Sequence, residues 1–518
     1  MSWERELSEL QRRREMARAM GGPQQVQRQH EHGKLTARER IDTLADEDSF
    51  REFAILSGAG SYRDQELEAF TPKGEVTGFI NIGNRRAVVA AGDFTVRGGA
   101  ATRGSGGGLG QEMSAARRAL EWRVPYVRLL DASGGSVASF ADIGRTYLPD
   151  GNVMSAVDVA LLQAVPVVSA VLGSVAGLPA VNACLAHFNV MVRGTAQLFP
   201  GGPPVVKAAL GLEVGKEELG GAAVHTRVSG VVDNVAETEQ DALSQVRSFL
   251  SYLPSSVDEP APRIAGRDPK EPAAGLRDVV PRNRRQPFDV YAILEAALDA
   301  GSFFEIAPGY GTSRVTGLGR VDGFPVGVMA NNPRRSGGAT DAAAGEKVVR
   351  LIQLCDEFHL PLVSFADEPG FLVGPESERQ GIERAGARLV WTTCQSRMPW
   401  ITFVVSRLFG VAGQCQHRPT GMFRRYAWPS ARWGSMHIEG GVAAAYRRVI
   451  EAADDPEAKR REIEAELEAL ASPFRTAEAT GQDIIDPAQT RDLLVEFVSD
   501  AQRVLATQVG TAGLPYRP

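Results

Sequence analysis

The strongest constraint on how this 518-residue chain can fold is that its two halves repeat each other. Val76-Thr77-Gly78 matches Val315-Thr316-Gly317. Val124-Pro125-Tyr126-Val127, closing on Asp131, matches Leu360-Pro361-Leu362-Val363, closing on Asp367. Val165-Pro166-Val167-Val168 matches Met398-Pro399-Trp400-Ile401. Three landmarks kept in order at nearly equal offsets mark a duplication. The first landmark of each half runs through a short strand into Gly83-Asn84 or Asp322-Gly323 and then a second strand, and such dipeptides suit the positive φ of a tight hairpin turn. Helices expected over 111–122 and 346–358 precede the proline-started strands. Helix followed by buried strand is the α/β pattern, with parallel pairing and right-handed crossovers. The chain therefore reads as two related α/β domains over 31–253 and 288–518, preceded by a charged helical arm over 1–30. A proline-rich linker over 254–287, without apolar periodicity, is expected between them.

Charge and cysteine usage narrow the function. Lys plus Arg number 57 against 63 Asp plus Glu, a net charge of -6, so a polyanion such as nucleic acid is not the expected partner. The four cysteines, Cys184, Cys355, Cys394 and Cys415, lie far apart with no CxxC pair, which suggests neither disulfides nor zinc and points to a reducing cytoplasm. From Val159 to Val192 there is no Asp, Glu, Lys or Arg, but Gln163, Pro166, Gly173, Pro179 and Asn182 break the run, so no membrane span is expected. The early Arg12-Arg13-Arg14-Glu15 run leaves no room for an apolar signal core.

Side-chain catalysts are scarce. Among the seven histidines only His30 and His32 stand close together, in the charged arm, so no metal site is expected. Ser133 has no evident histidine partner and no Gly-x-Ser-x-Gly elbow surrounds it, and His225 reads as a hydrogen-bonded structural residue. Glycine turns, by contrast, follow the buried strands of both halves: Asp131-Ala132-Ser133-Gly134-Gly135 and Gly173-Ser174-Val175-Ala176-Gly177, then Asp367-Glu368-Pro369-Gly370-Phe371 and Gly410-Val411-Ala412-Gly413. A strand-to-helix turn directs backbone N–H groups outward, where they can hold a developing oxyanion. Each taken singly also fits an ordinary tight turn; their duplication favours the functional reading. Catalysis by oriented backbone donors suits an enolate better than a hydrolysis.

These residues resemble the carboxyltransferase (β) subunit of biotin-dependent acyl-CoA carboxylases, the propionyl-CoA and methylcrotonyl-CoA carboxylase β family. The likeness spans nearly the whole chain, through His32-Gly33-Lys34-Leu35-Thr36-Ala37-Arg38-Glu39-Arg40-Ile41, Asp93-Phe94-Thr95-Val96-Arg97-Gly98-Gly99, Ser133-Gly134-Gly135, Lys216-Glu217-Glu218-Leu219-Gly220-Gly221, Ala330-Asn331-Asn332-Pro333, Asp367-Glu368-Pro369-Gly370-Phe371, Ala427-Trp428-Pro429 and Ile485-Asp486-Pro487-Ala488. The resemblance implies two tandem crotonase-like β-β-α spiral domains. It also implies a hexamer, a trimer of dimers, with the active site between the first domain of one subunit and the second domain of another. Gly134 and Gly135, with Gly177, would hold the acyl-CoA thioester oxygen. Ser133, Gly173, Ala176 and Leu178 would line the same pocket, and Gln414 would tune acyl choice. Gly410, Val411, Ala412 and Phe371 would hold biotin, with Val411 and Ala412 on its ureido oxygen.

The implied reaction moves a carboxyl group from carboxybiotin to the α (or vinylogous) carbon of an acyl-CoA through a thioester enolate, biotin serving as base. No Met-Lys-Met attachment segment and no ATP-binding loop is evident, so biotin is expected on a separate biotin carboxylase or carboxyl carrier subunit. Lys34, Arg38 and Arg40 are candidates for the CoA phosphates, with a solvated helix face the competing reading. Three departures bear on the resemblance. Pro179 has no N–H, Val411 stands where glycine is commoner and resists positive φ, and Arg334-Arg335 replaces an apolar segment. They leave open a biotin-independent carboxyacyl-CoA decarboxylase, or a scaffold that binds CoA or a subunit without catalysis.

Overall fold

The computed structural model describes residues 3–99, 114–134, 144–146, 151–283 and 286–518. The chain divides into two compact units, one running to Glu259 and the other from Pro260 to Arg517.

In the first unit the strands are β1 (Arg51–Glu52), β2 (Gly58–Arg63), β3 (Glu66–Pro72), β4 (Glu75–Ile82), β5 (Arg85–Gly92), β6 (Tyr126–Ala132), β7 (Val167–Ala176), β8 (Phe188–Val192), β9 (Gln197–Phe199) and β10 (Asn234–Ala236). The main sheet has the order β1-β4-β5-β6-β7-β8-β10, with β9 beside the far end of β7. β4 and β5 form an antiparallel hairpin, whereas the pairs from β5 to β8 are parallel. The hairpin turn closes through Gly83 and Asn84 at φ of 58° and 63°, the doubly positive φ such a dipeptide permits. Val88, Val89, Val127, Leu129, Val168, Val171 and Leu172 are all fully buried, which is why these strands read as nearly unbroken apolar runs. The β2–β3 hairpin stands apart and receives the N-terminal helix Glu4–Arg18 through Arg5–Glu66 and the Arg12 guanidinium on the Leu67 carbonyl.

The second unit repeats this plan. Its strands are β11 (Phe304–Glu305), β12 (Arg314–Val321), β13 (Phe324–Asn331), β14 (Leu362–Glu368), β15 (Trp400–Phe409), β16 (Phe423–Ala427), β17 (Arg432–Gly434) and β18 (Asp483–Ile484). The order β11-β12-β13-β14-β15-β16-β18, with β17 beside the far end of β15, reproduces the first sheet strand for strand. Asp322 and Gly323 close its hairpin at φ of 50° and 78°. The helices before β6 and β14 run over Ala115–Trp122 and Ala342–Glu357; the second starts four residues before the expected 346, because the Asp341 carboxylate caps it on the Ala344 N–H.

The proline-rich segment is not a free tether from Pro260 onward. Arg263 binds Asp322, Lys270 binds Glu295 and Arg277 binds Asp486, all within the second unit. No helix among the described residues is long and apolar enough to cross a membrane.

Candidate active site

In both units the third and fourth long strands lose register at the same place. Leu130 pairs with Val171 but Ala132 with Val175, so Leu172, Gly173 and Ser174 bulge opposite Asp131 alone. Ala366 pairs with Val404 but Glu368 with Leu408, so Val405, Ser406 and Arg407 bulge opposite Asp367 alone. Each bulge bends its strand and aims the turn beyond it.

In the first unit that turn meets the loop after β6. Gly134 has φ of 80°, and a Cβ there would lie 2.6 Å from the Ala176 carbonyl oxygen, so only glycine permits the approach. Among the described residues the Gly134 N–H has no hydrogen-bond acceptor. Gly135 lies outside the described residues. Ser133 is exposed, and its N–H is spent on the Gly98 carbonyl. Gly177 does not fill the donor role expected of it: its N–H donates to the Phe199 carbonyl at 3.3 Å, across from β9. Its φ of 70° instead turns the chain into the helix Leu178–Cys184, whose first N–H, on Leu178, meets no acceptor among the described residues. With Pro179 next, the donors presented here are those of Gly134 and Leu178. Gly173 is buried in the bulge, while Ala176 is part-buried at the end of β7.

The second unit assigns its donors differently. Gly370, the counterpart of Gly134, donates its N–H to Glu368 Oε1 at 3.0 Å. Glu368 is fully buried, and its Oε2 accepts from Arg314, Thr340 Oγ1 and Asn331 Nδ2. That turn therefore has no N–H left at Gly370. Beyond the bulge, Gly410 at φ of 63° opens the helix Gly410–Gln414, and the Val411 and Ala412 N–H groups have no acceptor among the described residues. The positive φ falls on Gly410, so Val411 keeps ordinary backbone geometry and its branching introduces no strain. The Val411 side chain is half exposed, Ala412 is buried, and Gln414 is exposed. Phe371 packs its ring on the helix Ile382–Gln395 at Gly386, where a Cβ would come within 2.9 Å of it.

Ionisable groups serve as supports. Asp131 is fully buried, and its Oδ2 accepts from Gln29 at 3.0 Å, Lys34 at 2.8 Å and Arg40 at 3.1 Å. Arg40 is also fully buried and clasps Glu239 with two bonds of 2.8 and 2.7 Å. Burial alone would push the Arg40 pKa down; the Glu239 hydrogen bonds and the Asp131 charge outweigh it and hold the guanidinium protonated. Arg38 forms a fork with Glu52 at 2.9 Å on both nitrogens. Lys34, Arg38 and Arg40 are thus occupied by carboxylates and are withdrawn as CoA-phosphate ligands. An exposed cation missed in the sequence is Lys216, whose Nζ reaches Ser174 Oγ at 3.3 Å beside the bulge. His225 is held at both ring nitrogens, by the Leu198 carbonyl and Ser229 Oγ. The buried Cys415 thiol is pushed up to about 12, chiefly by burial. Among the described residues no cluster of His, Cys, Asp and Glu is arranged to hold a metal ion.

Residues 28–505 match the carboxyl transferase domain family. The chain belongs to that family.

Among relatives of this carboxyl transferase, the propionyl-CoA carboxylase carboxyltransferase subunit of Haloferax mediterranei is 36% identical, with 96% of each chain covered. The methylmalonyl-CoA decarboxylase subunit alpha of Veillonella parvula is 34% identical over 93% of each. Among solved structures, the transcarboxylase 12S hexamer with methylmalonyl-coenzyme A and methylmalonic acid bound superposes with a TM-score of 0.86 at 33% identity. That match covers all of this chain and 97% of the other. The match to this structure, over the whole chain, carries the two-domain crotonase-like fold.

Proposed function

We propose that this chain is the carboxyltransferase subunit of a biotin-dependent acyl-CoA carboxylase, working on a short acyl-CoA as part of a homo-oligomer, most simply a hexamer. The observation that carries this reading is the pair of backbone donor sets, without acceptors among the described residues, at equivalent ends of the two sheets. A thioester enolate needs donors aimed at one oxygen, and the Gly134 and Leu178 N–H groups, both without an acceptor among the described residues, are the proposed ones. Positioned donors of this kind are each worth about 2.7–4 kcal/mol of barrier. Gly135 remains part of the proposed set.

Val411 and Ala412 present two adjacent N–H groups with no capping side chain, which fits a ureido oxygen, an acceptor only. Biotin, carried on a separate subunit, supplies the carboxyl group and the base for the α-proton. The chain itself binds the thioester, holds its oxygen at the first-unit turn, holds the ureido oxygen at the second-unit turn and spends no ionisable side chain on proton transfer. Ser133, Gly173, Ala176, Gly410, Phe371 and Gln414 are proposed as walls of these two pockets.

Biotin-independent decarboxylation of a carboxyacyl-CoA is a second reading; the likeness to the Veillonella decarboxylase subunit bears on the decarboxylation alone. Methylmalonyl-CoA supplied with and without free biotin separates the two. Loss of CO2 only with biotin is expected. Equal loss without biotin assigns the decarboxylase reading, and CoA binding without turnover leaves a scaffold.

A further inference from the structure

We propose that Asp131 and Asp367 are paired positioning residues, each clamping the strand bulge that sets the donor turn of its own unit, so that each governs one half of the transfer. The inference rests on the carboxyltransferase reading and deepens it.

The two carboxylates occupy equivalent places. Each is the lone residue opposite a three-residue bulge, each is buried, and each lies three residues before the first glycine turn of its unit, at Gly134 or Gly370. The bulges end at Ser174 and Arg407, three residues before Gly177 and Gly410. One carboxylate therefore stands at the root of both turns in its unit.

The donors that hold the two carboxylates differ. Asp367 is held from within the bulge: Arg407 gives it its backbone N–H at 3.0 Å, Nε at 2.7 Å and Nη2 at 2.7 Å. Arg407 Nη2 also binds the Gly337 carbonyl, fixing the adjoining left-handed turn. In the first unit the residue at the place of Arg407 is Ser174, whose hydroxyl turns away to Gln197. Asp131 is held instead from the N-terminal segment, by Gln29, Lys34 and Arg40, and Arg40 also reaches the Leu172 carbonyl inside the bulge at 3.3 Å. The contact on the bulge itself is tight: a Cβ at Gly173 would sit 2.0 Å from Asp131 Oδ1, an oxygen with no hydrogen-bond partner among the described residues. The segment carrying Lys34 and Arg40 thus does for the first unit what one arginine does for the second.

Backbone donors act only where they point, and a displacement of about 1 Å can cost about a hundredfold in rate. Relaxing a bulge moves the turn beyond it while leaving most of the binding surface in place. The loss should fall on the enolate or on biotin according to which bulge is relaxed.

The test compares the full-length protein with Asp131→Asn and Asp367→Asn, near-isosteric changes that weaken each clamp. Two readouts are taken: affinity for a nitroalkyl thioether of CoA, whose nitronate mimics the enolate, relative to propionyl-CoA, and the kinetics of free biotin in methylmalonyl-CoA decarboxylation. Asp131→Asn is expected to lose at least about tenfold of the nitronate preference, with KM for biotin unchanged. Asp367→Asn is expected to keep the nitronate preference and lose at least about tenfold of kcat/KM for biotin. Lys34→Gln and Arg407→Lys, which remove less, carry the test if the asparagine variants fail to fold and should move the same readouts in the same directions. Folded variants in which Asp131→Asn keeps the nitronate preference or shifts KM for biotin, or in which Asp367→Asn loses the nitronate preference or keeps kcat/KM for biotin, overturn the clamps. A wild-type protein without biotin-dependent turnover refutes the underlying function, while its nitronate affinity still decides the Asp131 clamp.

Discussion

Replacing Ala412 by proline removes one N–H from the second-unit turn and little else from the backbone, because the duplication has already made this change once. The register that aligns Val165 with Met398 places Pro179 on Ala412, and Pro179 sits in the first turn of its helix with the chain intact. Proline is tolerated there because first-turn N–H groups have no partner inside the helix. Ala412 is fully buried, so the ring must be accommodated, at an overpacking cost of about 1–3 kcal/mol in stability. Ala412→Val adds comparable bulk and keeps the N–H, and the comparison of the two variants isolates the donor. Losing one of two donors to the ureido oxygen at about 2.7–4 kcal/mol predicts a fall in kcat of about 100- to 1000-fold for Ala412→Pro relative to Ala412→Val. The assay is free-biotin-dependent decarboxylation of methylmalonyl-CoA, with thermal melting to confirm folding. A proline variant within threefold of the valine variant refutes the assignment of that N–H.

Gly134→Ala forces a Cβ to 2.6 Å from the Ala176 carbonyl at a φ of 80°; a backbone penalty of about 1–2 kcal/mol and a displaced turn should lower kcat about 100-fold or more, with a small loss of melting temperature. Arg40→Met leaves Asp131 and Glu239 buried without their shared cation and should destabilise the fold by about 3–5 kcal/mol in denaturant titrations. Glu357 is pushed up to about 8 by burial and then by the Asp356 charge, with Arg397 pulling the other way. Its folded state holds the proton more tightly than the unfolded one, so stability from this group is full below about 4.5 and lost as pH rises towards 8. Glu357→Gln should therefore flatten the decline in melting temperature between those pH values; an unchanged slope contradicts it. Lys216→Ala, at the exposed cation beside Ser174, should raise KM for the acyl-CoA and leave kcat unchanged.

How much was legible in the residues depended on whether the information was local. The hairpins at Gly83-Asn84 and Asp322-Gly323, the parallel buried strands and the duplication follow from periodicity and turn chemistry, and all are present. The donor set at the first turn was misread at Gly177 because its N–H is taken by Phe199, on a short strand whose pairing depends on the sheet as a whole. The basic run Lys34–Arg40 looked like a phosphate site because its true partners, Asp131 and Glu239, lie 91 and 199 residues from Arg40. The strand bulges leave no mark on hydrophobic periodicity. Their one trace in the sequence was the recurrence of an aspartate at the end of both proline-started strands.

Holding negative oxygen with main-chain amides is tested most directly by the affinity of the nitronate form of a nitroalkyl-CoA thioether, set against propionyl-CoA, in the wild-type protein and in Gly134→Ala. Preferential binding of the nitronate by about 100-fold or more in the wild type, collapsing in Gly134→Ala while propionyl-CoA affinity holds, is the predicted result. Equal affinity for the two ligands in the wild type would contradict it.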